Sequence, residues 1–86
     1  MPPPVDRPRK RSVTIGGHAT SFTLEDAFWT ALRDDAARRG VSLASLVSRI
    51  DRDRSTDTNL SSALRLHVLG SLLERIEMLE RDGTGG

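Results

Sequence analysis

The chain has 86 residues, no cysteine, and only three aromatic side chains, Phe22, Phe28 and Trp29. A chain this short buries about 60% of its unfolded surface and is marginal alone; without disulfides or a thiolate metal site, association with further chains is the common remedy. No apolar run approaches the ~20 residues that span a bilayer, and the proline-rich, basic N-terminus lacks the apolar stretch of a secretory signal, so a soluble cytoplasmic protein with no membrane partner is expected.

The net charge of +1 conceals an asymmetry. Residues 1–12 hold Arg7, Arg9, Lys10 and Arg11 against the single acid Asp6, while acids outnumber bases in the rest. All four prolines, Pro2, Pro3, Pro4 and Pro8, fall in the first eight residues. Proline fixes φ and lacks a donor, so residues 1–10 are expected to form a disordered arm outside any helix or central strand. A basic arm suits contact with phosphates; it equally suits solubility.

Two short runs then alternate. Val13 and Ile15 are apolar between Ser12 and Thr14; Phe22 and Leu24 are apolar between Ser21 and Thr23. Period-two alternation marks half-buried strands, and Gly16-Gly17 supplies a turn that needs positive φ. A two-residue loop pairs Ile15 with His18 and places Val13, Ile15, Phe22 and Leu24 on one face. Ser12, Thr14, Ala19, Ser21 and Thr23 then share the other.

At Leu24 the period changes. Glu25 and Asp26 bring acid to a first helical turn, where the helix dipole favours it. Leu24, Phe28, Leu32 and Ala36 make an i, i+4 stripe, and Gly40 ends the helix after Arg38 and Arg39. Trp29 at the stripe's shoulder reads as a packing or subunit contact. Ser42 can cap a second helix carrying Leu43, Leu46, Val47 and Ile50 at helical spacing. The charged run 51–58 reads as an exposed loop or frayed end. Asn59 can cap a third helix over 60–81, whose apolar positions cover more than one stripe and suggest burial on two sides. Gly70 inside it weakens the helix and points to a close backbone approach. Residues 82–86 read as a flexible tail.

No catalytic arrangement emerges. His18 and His67 lack further metal-type residues at ligand spacing, so no metal and no cofactor is expected. His18 reads as a surface residue and His67 as a packed or interface residue. Asp34, Asp35, Asp51 and Asp53 read as solvated charges without a nucleophile–base pair.

The stretch "TSFTLEDAFWTALRDDAARRGVSLASLVSRI", residues 20–50, resembles the ribbon-helix-helix family of the MetJ/Arc type: an alternating strand running into a first helix, a glycine turn and a second helix. With "RSVTIGGHATSFTLEDAFW" and "NLSSALRLHVL", the chain is similar to a bacterial subgroup of uncharacterised ribbon-helix-helix proteins. The resemblance implies a mainly α fold with a short antiparallel β-ribbon in an intertwined homodimer, plus the third helix. It divides the chain into the arm 1–10, a core 11–58, a packing or oligomerisation helix 59–81 and the tail 82–86. The strand Thr20–Leu24 would pair with its copy in a second subunit, flanked by residues 11–15. Phe22, Leu24, Phe28, Leu32, Leu46, Val47 and Ile50 would form the dimer core.

For function the resemblance implies binding of double-stranded DNA by a transcriptional regulator, associated with the nucleoid, rather than an enzyme. A ribbon in the major groove would turn Ala19, Ser21 and Thr23 toward base edges. Arg7, Arg9 and Lys10 of the arm and Arg11 just after it, with the N–H groups at Ser42, Leu43 and Ala44, would meet phosphates. Members usually carry a longer basic or amide side chain on the ribbon; here the face is Ala, Ser and Thr, which also serve as ordinary solvent-facing strand residues. The rival expectation is an assembly or protein-partner module of the antitoxin kind. In it Leu64, Leu69, Leu72, Leu73 and Ile76 of the third helix build a tetramer or larger oligomer or hold the partner.

Overall fold

The computed structural model describes residues 7–84, so the proline run before Arg7 and the last two glycines lie outside the described residues. Two antiparallel strands, β1 (Arg9–Ile15) and β2 (His18–Leu24), precede three helices, α1 (Asp26–Arg39), α2 (Leu43–Asp53) and α3 (Leu60–Thr84).

The hairpin has the register that the alternation implies. Ile15 faces His18 and Val13 faces Thr20. Gly16 and Gly17 take φ values of +56° and +81°, a pair of left-handed residues that matches the twist of the strands and disfavours any side chain. β1 begins earlier than expected. Arg9 pairs with Leu24 and Lys10 with Thr23, so both belong to the ribbon and not to the arm. The ladder extends because β2 runs to Leu24 and offers partners that far.

Local chemistry sets the helix ends. Gly40, at φ +70°, turns its own N–H to the Ala37 carbonyl, and Val41 N–H reaches Ala36. Ser42 Oγ accepts from Ser45 N–H at 3.0 Å, and Asn59 Oδ1 accepts from Ser62 N–H at 2.8 Å. α2 continues to Asp53, past the expected end. Charged residues there lie on the solvent side, and Arg54 holds Asp51 at 2.7 Å and the Thr58 carbonyl at 2.8 Å. The following segment is therefore an ordered turn.

The inner face of the hairpin contributes Val13, Phe22 and Leu24 to one core. α1 adds Leu32 and Ala36, α2 adds Leu46, Val47 and Ile50, and α3 adds Leu64 and Val68. Leu24, Leu32, Leu46, Leu64 and Val47 are fully buried, each stabilising the fold by about 1.5–3 kcal/mol. The residues expected between two chains are thus buried by the chain's own elements. Phe28 alone among them is half-buried, beneath the Arg65 guanidinium. Leu64, expected at an oligomer contact, faces the chain's own core, because α3 is the lid over it. Trp29 packs on Phe22, ring centroids 6.2 Å apart.

α3 has two apolar sides. Its core side carries Leu64 and Val68, while Leu66, Leu69, Leu72, Leu73 and Ile76 project outward and are at least 41% exposed. Gly70 lies between these sides, and a Cβ there would meet nothing within 4 Å. The expected close approach of a backbone is absent among the described residues. Gly70→Ala should therefore raise stability by about 0.5–1 kcal/mol through helix propensity. A urea titration checks this; an unchanged or lowered midpoint would show that the position is needed bare.

Candidate functional site

With one hairpin face committed to the core, alternation turns the other outward. Lys10, Ser12 and Thr14 of β1 and Ala19, Ser21 and Thr23 of β2 are all exposed. They face one another as Lys10–Thr23, Ser12–Ser21 and Thr14–Ala19. The result is a small surface of hydroxyls with one ammonium at its open end. His18, exposed beside the turn, borders it.

The same residues own the free edge of β2. Thr23 N–H donates to Ser61 Oγ of α3 at 3.2 Å, away from β1. Strand alternation then directs the N–H groups of Ala19 and Ser21 to that side as well. Ser61 covers the edge at Thr23 and leaves Ala19 and Ser21 uncovered. No signal in the sequence marked Ser61 for this role.

The basic residues divide into two kinds. Arg11, expected among the phosphate-binding residues, is instead tied down: its side chain is only 15% exposed and bonds Asp26 at the start of α1. Arg11 Nε also donates to the Leu24 carbonyl at 3.3 Å, and its guanidinium lies 5.0 Å from the Trp29 ring centroid. The hydrogen bond from Arg11 holds the Asp26 carboxyl below its usual range; slight burial opposes this, and the charges of Arg9 and Arg11 reinforce it. Arg9 approaches the same carboxylate at 3.6 Å. Lys10, by contrast, has no acid within salt-bridge distance among the described residues. The parity of the strand carries this split: Arg9 and Arg11 share the phase of Val13 and Ile15, and Lys10 that of Ser12 and Thr14. Arg7 is exposed ahead of β1.

At the α2 N-terminus, the Ser42 carbonyl accepts from Leu46 N–H at 3.0 Å. Ser45 N–H is taken by the cap. The N–H groups of Leu43 and Ala44 belong to the first turn, which has no intrahelical acceptors.

One polar cluster lies inside. Asp35, read as a solvated charge, is 4% exposed. It stands three residues after Leu32 and so shares the core side of α1, but two of its three hydrogen-bond partners come from α3 and lie far along the chain. Oδ2 meets His67 Nε2 at 2.6 Å and Arg39 Nε at 2.9 Å, and Oδ1 accepts from Ser71 Oγ at 2.8 Å. Ser71 Oγ donates to one oxygen of the carboxylate and His67 meets the other. The cluster ties α1 to α3. Burial pushes the Asp35 carboxyl up, but hydrogen bonds from His67, Ser71 and Arg39, with the Arg39 charge, outweigh it and hold the group below its usual range.

Among the described residues no three His, Cys, Asp or Glu side chains gather at a metal site, and no helix is long and apolar enough to cross a membrane.

The family model described as a ribbon-helix-helix domain matches residues 8–72, from the start of the hairpin through the first half of α3. No curated protein and no solved structure matches the chain.

Asp35→Asn should cost about 1–3 kcal/mol near neutral pH, where it removes a buried charge-assisted network. Because the folded carboxyl titrates below its unfolded value, its contribution is complete above about pH 4 and is lost as pH falls through the folded value. Thermal midpoints of the parent and Asp35→Asn should converge on acidification. A gap that stays constant with pH would show that the charge does not matter.

Proposed function

Because the chain belongs to the ribbon-helix-helix family, whose members are typically dimeric DNA-binding regulators, we propose that it is a homodimeric, cytoplasmic DNA-binding regulator that presents its hairpin to the major groove. The observation that carries this reading is the hairpin's exposed outer face, polar except for Ala19, on the strand that leads into α1. In the dimer, β2 pairs through its uncovered Ala19 and Ser21 edge with β2 of a second copy, and β1 flanks it on each side.

The width of such a sheet assigns different tasks to its strands. Neighbouring strands lie about 4.8 Å apart, so four strands span more than the groove's width of about 12 Å. The two central β2 strands enter, and Ser21 meets base edges with its short hydroxyl; Thr23 does so only as far as its Oγ1 leaves Ser61 Oγ, 3.4 Å away. The β1 strands stay at the rims, where Lys10, Ser12 and Thr14 meet phosphates. Leu43 and Ala44 N–H groups, and Arg7 ahead of the strand, add to the hold on the DNA backbone. Arg11 takes no part, since its guanidinium ties β1 to α1, and Arg9 contributes only as far as Asp26 releases it.

A second reading rests on the exposed side of α3. Leu66, Leu69, Leu73 and Ile76 form an outward apolar row, and contiguous apolar surface of this kind marks association sites. In that reading the family core is a dimerisation platform and α3 recruits another protein or builds a larger oligomer.

Titration of a preferred and a random duplex across salt separates these readings. Lys10→Ala should weaken binding to both duplexes and reduce the slope of log K against log salt by about 0.9 for each phosphate no longer neutralised. Ser21→Ala with Thr23→Val should leave the slope unchanged and cost about 1–3 kcal/mol for each base edge left unread, at the preferred site only. Absence of binding to either duplex at moderate salt would contradict the regulatory reading and favour the assembly module.

A further inference from the structure

Many arginines of this chain are neutralised at home. Arg9 and Arg11 meet Asp26, Arg38 and Arg39 meet Asp35, Arg54 meets Asp51, and Arg65 meets Glu25. Arg49 and Arg52 of α2 are different. Both are exposed, and neither has a carboxylate within 4 Å among the described residues. They stand one turn apart on α2 and line, with Thr14, Ser45 and Ser48, a groove of about 390 Å³ between α2 and the turn end of the hairpin. Asp51 is held by Arg54, and Asp53 lines a neighbouring cavity that Arg49 borders as well; no acid lines this groove.

Thr14 belongs both to this groove and to the outer face of the hairpin. The groove therefore borders that face at the end of β1, where Ile15 and Gly16 complete its hairpin side. Two unpaired guanidiniums among hydroxyls have the chemistry to take an anion: Arg offers planar pairs of N–H donors that match phosphate oxygens, and Ser and Thr hydroxyls can donate to the same atoms. None of Ser45, Ser48, Arg49 and Arg52 is needed for the ribbon to reach bases.

We propose that the Arg49–Arg52 groove beside the hairpin turn binds backbone phosphate of duplex DNA, extending the footprint of each subunit beyond the segment that the ribbon enters. This rests on the DNA-binding reading above and adds a second, sequence-independent anchor to it. The anchor supplies affinity at the rim of the sheet, where β1 has only Lys10 and hydroxyls. It also compensates for the short Ala, Ser and Thr side chains at the centre, which hold DNA weakly.

The test is a salt-dependent anisotropy titration of full-length parent, R49A/R52A and a control, R33A/R75A, with a preferred and a random duplex. Arg33 and Arg75 are likewise exposed and unpaired among the described residues but lie away from the groove, so the control removes equal charge elsewhere. Thermal midpoints should agree for all three proteins. R49A/R52A should flatten the slope of log K against log salt by about 0.9 for each phosphate no longer neutralised, between about 50 and 200 mM salt, equally on both duplexes. The control should change it far less. If the parent binds and R49A/R52A keeps its slope, or if the control flattens it as much, the groove is overturned while the ribbon reading stands. If inorganic phosphate binds the parent but not R49A/R52A, and the DNA slope is unchanged, the groove takes a free anion and the proposal falls. If the parent binds neither duplex, both readings fall together.

Discussion

The strict alternation of the hairpin is the constraint on which the other features rest. A strand offers side chains to two faces in turn, and Val13, Phe22 and Leu24 commit one face to the core. A one-residue slip would bring Ser12, Ser21 and Thr23 inward and strand the apolar set in water. The glycine pair at the turn excludes that slip by fixing the Ile15–His18 register. The outward face is then left to Lys10, Ser12, Thr14, Ala19, Ser21 and Thr23, polar except for the one methyl group of Ala19. The face proposed for DNA is the complement of the face that holds the fold together.

The core closes within one chain because α3 returns across it. Leu64 and Val68 complete an apolar cluster to which each helix contributes. Apolar burial is non-directional and does not by itself fix how α3 rotates about its axis. The Asp35 network does, since His67 and Ser71 must both reach one carboxylate. With that rotation set, Leu66, Leu69, Leu73 and Ile76 are left outside. The Glu25–Arg65 pair at 2.8 Å and the Ser61 hydrogen bond to β2 fix the N-terminal end of the helix in the same way.

Much of this was legible in the sequence where the determinant was local. The hairpin register followed from two alternating runs and a glycine pair. Gly40, Ser42 and Asn59 end or begin helices through hydrogen bonds within a few residues. The exposed hydroxyl face followed from parity alone. Local pattern fails where partners lie far along the chain. Asp35 looks like a solvated acid until α3 supplies His67 and Ser71, and Arg11 looks like a phosphate-binding residue until Asp26 and Trp29 close on it. Charge density was a poor guide to where α2 ends, because a helix tolerates charge on its solvent side. The Arg49–Arg52 groove depends on how α2 lies against the hairpin turn, which no local pattern encodes.

The central claim is that the uncovered edge of β2 joins a second copy, so that one ribbon is built from two chains. Amide hydrogen exchange at Ser21 tests it most directly, with Phe22 as the internal reference. Phe22 faces Arg11 within the hairpin and should be protected at every protein concentration. Ser21 N–H points to the open edge, so the account predicts protection that rises with protein concentration as the edge is covered. Exchange of Ser21 at the rate of an unprotected amide at all concentrations, while Phe22 stays protected, would contradict the two-chain ribbon.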